Sequence, residues 1–213
     1  MLLLYMFIMP HLVWGPRAPF FADQHKCKNY WWTTLLFINN IYPAMNETCM
    51  AWTWYLSNDM QYFVISPVFI YAFCRNSLVA LGLLSLFLSI CMGATVLLVA
   101  CVNYTLPVWI AGRKPVTDLI YRAPFVRISP YLVGLVAGFV LFKIKASKPT
   151  LPRTAFFLGW LLASGVTMTI LFGTNVQKPM GIVGSVLFET FSHFSWGICL
   201  TWVVTACEFG GPG

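Results

Sequence analysis

Long apolar runs separated by short polar breaks dominate the chain, and the runs are too long for strands. A helix crossing the ~30 Å hydrocarbon core of a bilayer needs about 20 mostly apolar residues. That pattern predicts about five spans, near residues 58–74, 77–102, 128–142, 154–172 and 182–206. The run at 77–102 holds no charge, whereas the one at 182–206 carries Glu189 and His193. The run at 128–142 is short and borrows Val126 or Lys143 at its ends. Residues 1–14 are apolar but too short to span, and they read as a partial helix, the tail of a longer one. A signal peptide is the other reading, but Pro16 and Pro19 suit a cleavage site badly. The expected fold is all-α: a polytopic transmembrane helix bundle with a long lumenal or extracellular loop over residues 15–56.

Composition supports this class. Of 213 residues, 59% are hydrophobic and 9% charged, against about 25% charged in a soluble domain. The net charge of +7 comes from residues scattered over short loops, so no nucleic-acid partner is expected, and membrane lipids are. Seven cysteines occur without CxxC pairs, which argues against a metal site. Cys27 and Cys49 differ from the rest. Both lie in the polar, aromatic outer loop, while the other five sit at apolar positions or near the chain end. A disulfide between them is expected, in keeping with an oxidising compartment.

That loop also holds the aromatic run YWWTTLLFINNIY, whose middle, 31–42, suits a short interfacial helix. A glycosylation sequon follows at Asn46, and a second lies at Asn103. Two spans separate the two sequons, so both face the same side. Arg75, Lys143, Lys145, Lys148 and Arg153 then fall on the opposite side, in agreement with the positive-inside rule, while Arg17, Lys26, Lys28, Arg113, Lys114, Arg122, Arg127 and Lys178 on the outer side disagree with it, Arg122 and Arg127 close to a span. That conflict suggests arginines held by the protein itself. The localisation that follows is integral and multi-pass, in the endoplasmic reticulum or plasma membrane.

Three groups of polar residues carry the candidate chemistry. Asp59 and Gln61 stand at the head of the first span, where a carboxylate either caps the helix or lines a polar cavity. Arg122 and Arg127 flank a Pro-containing turn before another span. They either snorkel to headgroups or grip an anion or internal carboxylate through the guanidinium fork. Glu189 and His193, at i and i+4, share one helical face. They either bond to each other or form a proton-handling pair and a weak catalytic candidate. Gly134 and Gly138 form a GxxxG, a pattern that favours close helix packing.

At these residues a resemblance emerges. The stretch NYWWTTLLFINNIYPAMNETCMAWTWYLSNDMQYFVISP looks like a hallmark of animal proteins of the nose resistant to fluoxetine type, within the acyltransferase-3 family. YRAPFVRISPYLVGLVAGFVL resembles that family's Arg-rich Pro-Tyr-Leu-x-Gly segment, and SWGICLTWVVTACEFGGPG its Trp-containing helix with a Gly-rich turn. The resemblance implies transfer of an acyl group from a thioester donor such as acyl-CoA, a co-substrate rather than a bound cofactor, to a hydroxyl or lipid acceptor. It also implies an acidic and amide pair at the entrance of the first span. The family's catalytic His lies in earlier spans, and neither His11 nor His25 matches its motif. The chain then reads as one partial acyltransferase-3 domain, an internal or truncated piece that needs the missing helices and is inactive alone. The alternative is a lipid or small-molecule transporter without covalent chemistry, using Glu189 and His193 as a relay.

Overall fold

The computed structural model describes residues 2–12, 25–102, 120–145, 152–174 and 180–209. They are mostly helical, with no strand among the described residues. A π-helical turn, Leu4–Ile8, leads into α1 (Met9–Leu12), and α2 covers His25–Leu35. Two 3-10 turns, Met45–Glu47 and Ala51–Thr53, precede five long helices. These are α3 (Trp54–Arg75), α4 (Ser77–Cys101), α5 (Pro124–Ile144), α6 (Arg153–Phe172) and α7 (Ile182–Phe209).

Each predicted span therefore coincides with a helix, but only three stretches are both long and apolar enough to cross a membrane: Ser77–Cys101, Ile120–Ile144 and Arg153–Phe172. Five full spans are thus not established. Helices α3 and α7 have the length, at 22 and 28 residues. The polar residues at Asn58, Asp59 and Gln61 and at Glu189 and His193 set them apart from the other three. The starts of α3 and α5 each lie four residues before the expected positions. Pro124 opens α5, because proline's fixed φ and missing N–H suit the first helical turn. Arg127 therefore lies inside the helix rather than before it.

The interfacial helix expected at 31–42 instead starts at His25 and ends at Leu35. Phe37 takes a left-handed φ of 55°, which stops helical propagation. Asn76 caps α4, its side chain accepting from the N–H groups of Leu78 and Val79.

Two compact units divide the described residues. The first comprises Met1–Val64 with Arg122–Pro124, and the second Ile65–Tyr121 with Phe125–Gly213. In the second, α7 packs on α6 and α4. The rings of Phe73 and Phe139 stack at 4.4 Å, and Phe69 meets Phe87 at 5.6 Å. Val99 and Ile120 form a small core with Met180, Val186 and Phe188. Most large apolar side chains face outward, Phe157, Leu158, Leu161 and Leu162 of α6 among them. That arrangement is stable where the solvent is hydrocarbon.

Close helix approach occurs at isolated glycines rather than at the GxxxG. A Cβ on Gly134 or Gly138 would meet nothing within 4 Å among the described residues. One on Gly197 of α7 would come within 2.8 Å of the Pro130 backbone of α5. One on Gly159 of α6 would enter the indole of Trp202 on α7.

Candidate functional site

The first unit is built around a polar centre. Its staple is the Cys27–Cys49 disulfide, as the loop cysteines led us to expect. Both sulfurs are buried, and Met50 packs beside them with Leu2, Tyr5 and Met6 at the edge. The bridge closes 22 residues of separation, worth about 3 kcal/mol in the chain-entropy model. Cys27→Ser with Cys49→Ser should therefore lower the unit's stability by about that amount. Hydrogen exchange over residues 25–53, compared with the parent, checks this; unchanged protection would show that the hydrogen bonds suffice alone.

The head of α3 supplies the rest. Ser57, Asn58, Gln61 and Tyr62 share one face, spaced i, i+1, i+4 and i+5. Ser57 donates to Asn39 Oδ1. Asn39 Nδ2 donates to Thr53 Oγ1 at 2.7 Å, and Thr53 passes its own proton to the Met50 carbonyl at 2.8 Å. Asn40 and Gln61 form a two-armed amide pair, Nε2 to Oδ1 at 3.0 Å and Nδ2 to Oε1 at 3.1 Å. Asn40 also donates to Asn58 Oδ1, and Gln61 to the Phe37 carbonyl at 2.9 Å.

Arg122 closes the network from 83 residues away. Its side chain is only 4% exposed. Nη1 donates to the Asn39 carbonyl at 2.9 Å and, with Nη2, reaches the Pro43 carbonyl at 3.4 and 3.5 Å. Asn58 Nδ2 donates back to the Arg122 carbonyl at 3.3 Å, and Tyr62 donates to the Pro124 carbonyl at 2.7 Å. A guanidinium with fixed, divergent donors suits such a junction of carbonyls.

The sequence-derived candidates thus fall in different places. Gln61 and Arg122 share the network. Asp59 does not join them: α3 begins at Trp54, so Asp59 lies in its second turn, on the exposed side. Arg127 is half-buried in the second unit, with Nε donating to the Tyr121 carbonyl at 3.1 Å and the guanidinium over the Tyr121 ring at 4.7 Å. His193 Nε2 stands 3.7 Å from Glu189 Oε2, an ion-pair separation rather than a hydrogen bond. Asn46 is exposed in its turn. Asn103 lies outside the described residues, as does the loop from 15 to 24.

Sequence reasoning missed Asn39 and Asn40, and it noticed Asn58 beside Asp59 and Gln61 without making it a candidate. The available signal was two adjacent amides in an apolar stretch, since buried amides require partners.

The second unit offers apolar grooves. One has a volume of about 710 Å3 and is walled by α4, α5 and α7 through Leu84, Leu88, Leu132, Val136, Leu141 and Ile198, with the hydroxyls of Thr201 and Thr205 on its wall. Another, about 820 Å3, runs between α6 and α7. Neither Glu189 nor His193 lines either groove.

With these features in hand, comparison with known proteins is informative. The chain is similar to nose resistant to fluoxetine protein 6 of Caenorhabditis elegans. The two are 27% identical over 92% of this chain, and the match spans 26% of the relative's length. The resemblance read from the aromatic loop and the arginine segment is thereby supported at the level of nose resistant to fluoxetine-like proteins. No family model and no solved structure matches the chain.

Proposed function

We propose that the chain forms part of a multi-pass membrane acyltransferase, and that its share of the work is to hold the acyl chain. The groove between α4, α5 and α7 carries this reading. Its walls are mostly apolar, with Ser85, Thr201 and Thr205 as the polar residues, which suits a hydrocarbon tail. The similarity to a nose resistant to fluoxetine protein adds to it through the acyltransferase-3 resemblance of the same segments. In the reaction, an acceptor hydroxyl attacks the thioester carbonyl, a base takes the hydroxyl proton, and the thiolate leaves. His193 is the weak candidate for that base; it stands beside Glu189 and outside the groove walls, which favours binding over proton transfer as this chain's share. A segment outside this chain would then supply the base. A carrier of lipids or small molecules is the second reading, favoured by a groove that holds no proton-accepting side chain among its described residues.

A photoreactive palmitoyl-CoA analogue should label α4, α5 and α7 of the chain in nanodiscs. Ala137→Trp, which fills the groove, should reduce labelling several-fold. Labelling confined to other helices, or indifferent to Ala137→Trp, would reject acyl binding. Release of free CoA thiol in the presence of an alcohol would assign transfer to this chain, and labelling without release would favour binding alone.

The outer loop is proposed to face the lumen or exterior, with Asn46 glycosylated. Asn46 is exposed three residues before a disulfide cysteine, and disulfides and N-glycans form in the same oxidising compartment. The secreted-pathway product should lose mass on glycosidase treatment, and Asn46→Gln should abolish that shift. A retained shift would move the glycan to another site, and none in the parent would reverse the sidedness.

A further inference from the structure

We propose that α2 is a membrane-surface helix, seated in the phospholipid headgroup layer through the face bearing Lys28, Trp31, Trp32, Leu35 and the following Leu36. At about 100° per residue these five positions occupy one arc. Cys27, Tyr30, Thr33 and Thr34 occupy the opposite arc, with Cys27 and Thr33 fully buried. All five residues of the first arc are exposed, Leu35 at 55% and Leu36 at 63%. The apolar face of this helix therefore points out of its unit, the reverse of a helix on a soluble domain.

Beside its Cys27–Cys49–Met50 core, the rest of the unit shows the same inversion. Inside stand Asn39, Asn40, Ser57, Asn58 and Arg122, and outside stand Trp31, Leu35, Ile41 and Tyr42. Tyr42 extends the patch, its ring lying 6.3 Å from that of Trp32. A unit that hides amides and displays tryptophans is stable only if something apolar covers the display. The chemistry of the arc says what that is. Indole and phenol rings are apolar bodies with polar tips, which favour the depth where acyl chains meet headgroups. Lys28, one turn before Trp31 and Trp32, places an ammonium where a phosphate stands. A bilayer is also at hand, since three stretches of the same chain are apolar enough to cross one. A protein partner would be expected to meet a face with fewer lysines at its margin.

The experiment places benzoylphenylalanine at Leu35 in the full chain, reconstituted in nanodiscs of equal parts phosphatidylcholine and phosphatidylserine. Illumination should give phospholipid adducts at that position. The same label at Asn46, exposed in the same unit but beside polar neighbours, should give few. Trp31→Glu together with Trp32→Glu should cut the Leu35 adducts several-fold while leaving the Cys27–Cys49 disulfide formed, which reports that the unit still folds. Adducts to protein at Leu35, or equal lipid adducts at Leu35 and Asn46, would overturn the proposal, as would insensitivity to the paired Glu substitutions. None of these readouts depends on acyl transfer.

Discussion

Arg122→Met should unravel the first unit while leaving the helices of the second formed. Methionine fills much of the volume but cannot donate, so the buried carbonyls of Asn39 and Pro43 lose the donors that Arg122 gives them. An unmade bond to a buried group costs about 1–3 kcal/mol, and the two together should remove on the order of 3 kcal/mol. Arg122→Lys should cost less, because an ammonium satisfies one carbonyl but cannot span the pair. Arg127→Lys provides the contrast. Arg127 is half-buried and lies over the Tyr121 ring; lysine keeps a cation there, so the loss should stay within about 1 kcal/mol. Proteolysis of residues 25–53 in detergent, with helicity followed in parallel, distinguishes the three. If Arg127→Lys exposes that segment as much as Arg122→Met does, the assignment of the anchoring role to Arg122 is wrong.

This prediction moves the weight between the two arginines, and the reason is physical. In the sequence both looked alike, two basic residues at a Pro-containing turn before a span. The positive-inside conflict marked both as charges held by the protein, but it carries no information on which partner lies where. Arg122 finds its carbonyls at Asn39 and Pro43, separations of 83 and 79 residues, and no local pattern encodes such a pairing. Asp59 shows the same limit on a smaller scale. Adjacent polar residues on a helix point about 100° apart, so whether Asn58 or Asp59 turns inward depends on a helical phase that apolar-run counting does not fix.

What the sequence did carry is what depends on length and composition. The span over 77–102 coincides with a helix over Ser77–Cys101, and that over 154–172 with Arg153–Phe172. A long apolar run has few other stable forms in a bilayer. The disulfide was legible because only two cysteines shared the polar loop. The GxxxG was a pattern without a partner, since Gly134 and Gly138 have open space beside them among the described residues. The glycines that packing does use, Gly159 and Gly197, sit in no GxxxG. Gly159 meets Trp202 of α7, and Gly197 meets Pro130 and Val133 of α5.

Gly159→Leu should separate α6 from α7. The Trp202 indole occupies the space a side chain on Gly159 would need, so the ring must leave or the helices must part. Overpacking of this kind costs about 1–3 kcal/mol for small additions, and leucine adds four carbons. The ring has little besides packing to hold it: Trp202 Nε1 is buried without a hydrogen-bond partner among the described residues. That makes a rescue possible. Trp202→Ala alone should destabilise by about 2–3 kcal/mol through the cavity it leaves, less than for a fully buried ring because Trp202 is only partly buried. Combined with Gly159→Leu, the new side chain should enter that cavity, and the pair should recover at least ~1 kcal/mol relative to the sum of the single losses. Thermal unfolding of all four proteins in one detergent measures the coupling. Strictly additive losses would mean that residue 159 and residue 202 do not share a space, and that the contact between α6 and α7 is made elsewhere.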